Sequence, residues 1–340
     1  MGDRGGGAMS LDRFTPDEAV AAEIRSTLYA YESQRQTVHR QQRWLIPLSL
    51  IPAGLVAILG LMPLLVGGET AMEAGDWMDF AWWLLLGVGM LAYAGVWVAK
   101  LPARRLQQSM RDRLLPRLFG FLGDVDYAHG AKPFTFDHLP NEALPDHSFK
   151  EFGDVLRGRH QWMQFEFFEL ELKTGGKSKR TVLKGIVVSF DIPAAFPGLL
   201  LVTPRIGQVA GFFREMFGAR LQVVTANDEL LDALYEFRSD HAGAAQPLVR
   251  GPLRAALGDL RRATRDGAPR LALTGKLGFL ILPTSKDFFE LPGVERAALY
   301  ERDIEPMVAD LVALLYKAGT VRQAMAGWDA PPDRDGLLTG

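Results

Sequence analysis

The chain has no cysteine among its 340 residues. That absence excludes a disulfide framework, a thiol nucleophile, an iron–sulfur cluster and any Cys-ligated zinc. A surplus of either charge is also missing: 38 Lys plus Arg stand against 40 Asp plus Glu, a net charge of −2. A dedicated nucleic-acid binder would carry a basic excess, so no nucleic-acid partner is expected. The six histidines include no HxH or HExxH spacing that would set two imidazoles on one metal. Asp137-His138 and Asp146-His147 repeat an Asp-His step in a Pro-rich stretch, which reads as loop chemistry first and as a divalent-ion site only if the loop folds back. Ser148 and Ser239 lie in no GxSxG setting. Gly175-Gly176-Lys177-Ser178 resembles the end of a phosphate-binding loop, but Glu171 stands where the pattern needs its first Gly. No catalytic set, cofactor or metal is assigned.

What the chain does have is two long uncharged runs. Trp44 to Val66 is 23 residues and Phe80 to Ala99 is 20. As helices they reach roughly 35 and 30 Å, enough for a hydrocarbon core of about 30 Å. Reading them as two buried helices of a soluble core requires stretches of 23 and 20 apolar residues with no polar stripe. Pro47, Pro52 and Pro63 lie inside the first run, where kinks are expected, and Ala53 and Ala57 form a small-xxx-small pair. Arg35, Arg40 and Arg43 precede the first run; Lys100, Arg104, Arg105, Arg111 and Arg113 follow the second. The connection, Gly67 to Asp79, holds four acids and no Lys or Arg. The positive-inside rule then predicts a multi-pass membrane protein with both termini in the cytoplasm and the short loop outside.

Four regions follow. Residues 1–14 read as disordered, 15–119 as the membrane hairpin with cytoplasmic stalk helices (spans 44–66 and 80–99), 120–318 as a cytoplasmic α+β domain, and 319–340 as a flexible tail. Thr15-Pro16 starts a helix over about 16–43 whose seam is Val20, Ile24, Thr27, Tyr31, Gln34 and Val38. A partner helix spans about 102–119. The two pair as a stalk, associate between protomers, or lie along the headgroups. In the domain, Gln164–Leu172 and Thr181–Phe190 form a hairpin, with strands near 199–203, 220–224, 236–239, 271–273 and 278–282. Helices are expected over 228–235, 247–265 and 294–317. The fold class is α+β: a two-helix transmembrane hairpin with helical extensions, then a mixed, largely antiparallel sheet with packed helices.

The order of motifs resembles a known family. After the hairpin come Phe119-Gly120-Phe121-Leu122-Gly123, Asp154-Val155-Leu156-Arg157-Gly158 and Phe165 to Leu172. Lys179 to Gly185, Phe196-Pro197-Gly198 and Tyr235 to Asp240 follow. This pattern is similar to the bacterial family of domain of unknown function 3137, over most of residues 16–318. His241 to Leu248 departs from it. The resemblance implies a membrane-anchored cytoplasmic domain with no assigned activity, and a LemA-type membrane protein as a partner.

Two surface features are candidates for contact. Lys173, Lys177, Lys179 and Arg180 cluster at the hairpin tip, where they would meet anionic lipid headgroups or simply solvate a turn. Phe212, Phe213 and Phe217 would meet a partner or pack on the sheet. Glu166, Glu169 and Glu171 are the acid–base candidates, but in a strand 169 and 171 share one face while 166 lies opposite. The reading is a non-enzymatic membrane protein whose domain binds protein, itself or lipid. A membrane-tethered enzyme acting on a lipid or nucleotide, with His160, Glu166 or Asp191 converging in a pocket, is the alternative; an oligomeric pore is a third.

Overall fold

The computed structural model describes residues 18–65, 74–160, 163–176, 178–205, 221–262 and 267–326. The chain forms two compact units, one of residues 17–117 with 291–305, the other of 118–290 with the C-terminal part from Pro306.

The first unit is helical. Helix α1 runs unbroken over Glu18–Leu65, α2 over Ala74–Ala99 and α3 over Leu101–Leu118. Both spans lie in helices long and apolar enough to cross a membrane, and only 6% of each apolar window is buried. A soluble core helix would be covered. Two uncovered apolar helices of this length suggest membrane anchoring. Between Leu45 and Met62 the residues not exposed are Ile46, Ser49, Ala53, Ala57 and Gly60; in α2 they include Gly87, Ala92 and Gly95. Small residues therefore form the seam between α1 and α2, which lets their backbones approach where lipid supplies no hydrophobic drive. A Cβ on Gly95 would lie 2.6 Å from the Ser49 carbonyl oxygen.

The expected stalk seam is corrected by one residue at alternate positions. Ile24 and Tyr31 are buried as expected, but Ala21, Leu28, Arg35 and Gln42 complete the buried stripe while Gln34 is exposed. Arg35 buries because its guanidinium is satisfied: Glu32 accepts at 2.6 and 2.7 Å, and the Val294 carbonyl at 2.5 Å. A residue that looks polar in sequence joins the seam once its donors are met.

The second unit is built on seven strands: β1 Asp126–His129, β2 Phe149–His160, β3 Met163–Thr174, β4 Arg180–Pro204, β5 Gln222–Val224, β6 Tyr235–Ser239 and β7 Arg270–Pro283. The sheet order is β1-β2-β3-β4-β6-β5, with β7 along the other edge of β4, and all six strand pairings are antiparallel. Helices α4 Glu229–Leu234, α5 Ala242–Arg250, α6 Pro252–Arg262 and α7 Glu305–Ala326 complete it. This is the expected α+β class. Both alternating sets of strand residues are buried, Phe168, Leu170 and Leu172 on one face and Phe165, Phe167 and Val188 on the other. On the first face the 3-10 turn Phe134–His138 drops Phe136 onto Phe168, with ring centroids 6.2 Å apart. Each such buried Phe contributes about 2 kcal/mol.

Several boundaries differ from expectation. Strands 199–203 and 181–190 are one strand, β4, because Gly198 takes φ +108° and carries the chain through. Strands 271–273 and 278–282 are likewise one, bent at Gly275 with φ +52°. The helix expected over 247–265 is two, divided at Gly251, since Pro252 has no N–H with which to continue the first. The last helix starts at Glu305-Pro306 and passes through Gly319 to Ala326.

Gly95 gives a direct test of the α1–α2 seam. Gly95→Val is expected to cost about 1–3 kcal/mol by overpacking and to lower the melting temperature of the detergent-solubilised chain. Gly89→Val, with open space around it, leaves that temperature unchanged.

Candidate functional site

The polar focus of the sheet unit arises from an irregularity in β2. Its register with β3 slips between Phe152 and Val155, so Gly153 and Asp154 form a bulge. Bulges re-aim side chains, and here Asp154 turns inward until it is 1% exposed. The Tyr127 hydroxyl donates to its Oδ1 at 2.5 Å, and His129 Nδ1 lies 2.6 Å from the same oxygen. Gly153 leaves room beside it, since a Cβ there would meet Glu169 Oε2 at 2.5 Å.

Glu169 on β3 reaches across this bulge. Its Oε1 accepts from Phe288 N at 2.9 Å and its Oε2 from Asp154 N at 3.5 Å. Asp287 completes the group, and the ligand atoms of Asp154, Glu169 and Asp287 all lie within 4.8 Å of one another. Three carboxyl groups that close cannot all ionise cheaply. Burial first, then the Asp287 and Asp154 carboxylates, push Glu169 up to about 7, while the two backbone N–H donors oppose the shift. The cluster opens on a cleft of about 200 Å³ whose charged lining is Glu151, Glu169, Glu171, Lys184, Lys286 and Asp287. An all-oxygen donor set suits a hard cation, but Asp154 Oδ1 already meets two partners. A proton is the species this arrangement holds most directly.

The other sequence candidates go elsewhere. Glu166, 3% exposed, lies opposite Glu169 as the strand alternation requires. It accepts from Phe134 N at 3.0 Å, Thr135 N at 2.9 Å and the Thr135 hydroxyl at 2.5 Å, pinning the turn that covers the core. Asp191 accepts from Gln164 N at 2.7 Å and pairs with Arg322 of α7 at 3.2 Å. Burial lowers the His160 pKa. Glu166 and Asp191 thus serve different packing contacts. Asp137 pairs with Lys132, and His147 Nδ1 lies 3.0 Å from the Pro145 carbonyl; the two Asp-His steps hold no common site among the described residues. At the hairpin tip Lys173 is engaged by Glu151 at 2.7 Å and Glu171 at 3.5 Å, and Lys179 lies over the Phe149 ring at 4.1 Å. Arg180 is exposed. Lys177, Phe212, Phe213 and Phe217 lie outside the described residues.

Asp287, Tyr127 and His129 were not singled out as site residues by sequence reasoning, and Asp154 entered it only within a family motif. The available signal was Gly153-Asp154 inside a strand, a combination that marks a bulge.

No family model and no curated protein matches the chain. Among solved structures, the crystal structure of the mycobacterial trehalose monomycolate transport factor A, TtfA, is similar over 66% of this chain and 99% of that one, at 8% identity and a TM-score of 0.39. A likeness of that size carries neither function nor partners across.

The carboxyl cluster makes a signed pH prediction. Glu169 ionises near 7 in the folded chain and near its ordinary 4.5 in the unfolded one. The folded state therefore holds a proton that the unfolded state has released, and stability falls between pH 4.5 and 7. Glu169→Gln keeps an acceptor for Phe288 N and removes that cost. It is expected to stabilise the chain by on the order of 2 kcal/mol at pH 8 and to leave it unchanged at pH 4, measured as unfolding temperature against pH.

Proposed function

We propose that this protein is a two-span protein of the bacterial inner membrane, both termini cytoplasmic, whose α+β unit is a non-enzymatic interaction module for a protein partner. The supporting observation is the pair of uncovered apolar helices, the first running without a break from Glu18 into its span. A 200-residue domain tethered this way works at the membrane surface, and tethering raises its effective concentration for a partner there. The order of motifs from Phe119 to Asp240 supports kinship with the domain of unknown function 3137 family. On that kinship a LemA-type membrane protein is the first partner to test. Self-association and lipid contact are the other interactions open to the unit.

A second reading, a tethered enzyme acting on a lipid or nucleotide, has one observation in its favour: the cleft beside Glu169, whose carboxyl is tuned near neutrality.

Topology is testable cleanly because the chain has no cysteine. A single Ala71→Cys is expected to react with a membrane-impermeant maleimide added to intact cells with permeable outer membranes, and Ser178→Cys only after lysis. The reverse pattern would overturn the orientation. Function is tested by crosslinking in native membranes and quantitative capture, with a chain ending at residue 119 as control. A protein recovered only when residues 120–318 are present supports the module. Recovery of none, together with turnover of a lipid or nucleotide that Glu169→Gln abolishes, would replace it with the enzyme.

A further inference from the structure

One end of the helix hairpin carries cations that form no ion pair among the described residues. The packing of the hairpin sets their level. Gly95 faces Ser49 and Gly60 faces Leu84, an antiparallel register that steps residue for residue. Carried past the end of α2, it brings Arg43 level with Leu101 and Arg40 level with Arg104. The helical hydrogen bonding persists through this junction, from Lys100 N to the Val96 carbonyl and from Arg104 N to the Lys100 carbonyl, each 3.1 Å. Arg40, Arg43, Lys100, Arg104 and Arg105 therefore form one belt around the hairpin.

All five are exposed, and among the described residues none of them pairs with a carboxylate. Elsewhere the described cations commonly do, as with Arg25, Arg35, Lys173 and Arg238. The belt has no acid near it in sequence: none lies between Glu32 and Glu69, nor between Asp79 and Asp112. Its depth is marked by two tryptophans. Trp44 adjoins Arg43, and the Arg104 guanidinium lies 5.9 Å over the Trp97 ring, the amphipathic ring that favours the membrane–water boundary. Arg104 and Arg105 are five and six residues past Ala99, roughly 8–9 Å along the helix. Directly beneath, Leu48, Ile51 and Trp97 leave apolar surface uncovered.

We infer that this belt binds the phosphate-bearing headgroups of anionic phospholipids in the leaflet where the helices emerge. The inference rests on the membrane-spanning reading above. Phosphates are the anions fixed at that depth of a bilayer, and the guanidinium fork matches two phosphate oxygens at once. Acyl chains below would cover the exposed apolar side chains, so one lipid satisfies both surfaces. Each near-surface cation raises association about fivefold at moderate salt. The hairpin-tip lysines are not part of this surface, since Lys173 is held by Glu151.

The test uses the full chain in phosphatidylcholine bilayers with a trace of spin-labelled phosphatidylglycerol or spin-labelled phosphatidylcholine, reading the motionally restricted lipid by electron paramagnetic resonance. The expected result is at least a fivefold preference for phosphatidylglycerol at low salt. It falls towards one in 1 M salt and in R40Q/R43Q/R104Q/R105Q, while K173Q/K179Q/R180Q keeps it. An unchanged restricted fraction of phosphatidylcholine certifies that the substituted hairpin is intact. Full preference retained in the fourfold variant would overturn the belt alone. No restricted component for either label would overturn the spanning reading and the belt together.

Discussion

Hydrocarbon offers a backbone no hydrogen-bonding partner, and the two uncovered apolar helices of the first unit fit that constraint. Every peptide group in a span has to be satisfied within its own helix, so the chain keeps one helix from Glu18 to Leu65 despite Pro47 and Pro52. Because lipid tails are as apolar as leucine, the two helices gain nothing by burying large side chains against each other. They meet instead through Ser49, Ala53, Gly60 and Gly95, where backbones approach closely. Most of the large residues face outwards, and the stripe changes character towards the N-terminus of α1, where Ala21, Ile24, Leu28 and Tyr31 are covered.

The sheet unit obeys the opposite solvent rule and makes it harder to satisfy. With both faces of β3 covered, the carboxyl groups placed there by strand alternation must find donors inside the fold. Glu166 finds three, all from Phe134 and Thr135, and becomes a fastener for the turn above it. Glu169 finds two backbone N–H groups and two neighbouring acids. The same residue type on opposite faces of one strand thus takes two roles, set by whether the surroundings donate or repel. The Glu169 cluster also fastens the chain, since Phe288 N donates to it immediately before residue 291, where the chain returns to the helical unit.

Where sequence reading went astray, a glycine or proline was usually the reason. Gly198 and Gly275 resemble strand ends, yet their positive φ lets β4 and β7 bend and continue. Gly251-Pro252 lies within a helical pattern and divides it. Gly153-Asp154 marks the bulge on which the carboxyl cluster depends. Each of these residues permits a conformation without dictating it, and the neighbouring strand or helix selects among the options. The stalk seam shows the same limit for side chains: Arg35 belongs to the buried stripe only because Glu32 and the Val294 carbonyl, 259 residues away, meet its donors.

Sequence by itself determined the two long apolar helices, the α+β class of the rest, the β3–β4 hairpin and the opposition of Glu166 to Glu169. These follow from length of apolar run and from periodicity, which are local and additive along the chain. Tertiary structure alone decided that Tyr127, His129, Asp154, Glu169 and Asp287 gather in one place, and that Lys173 is spent on Glu151. Those outcomes depend on strand register and on pairings between segments far apart in sequence, where shifting one residue turns a side chain to the opposite face.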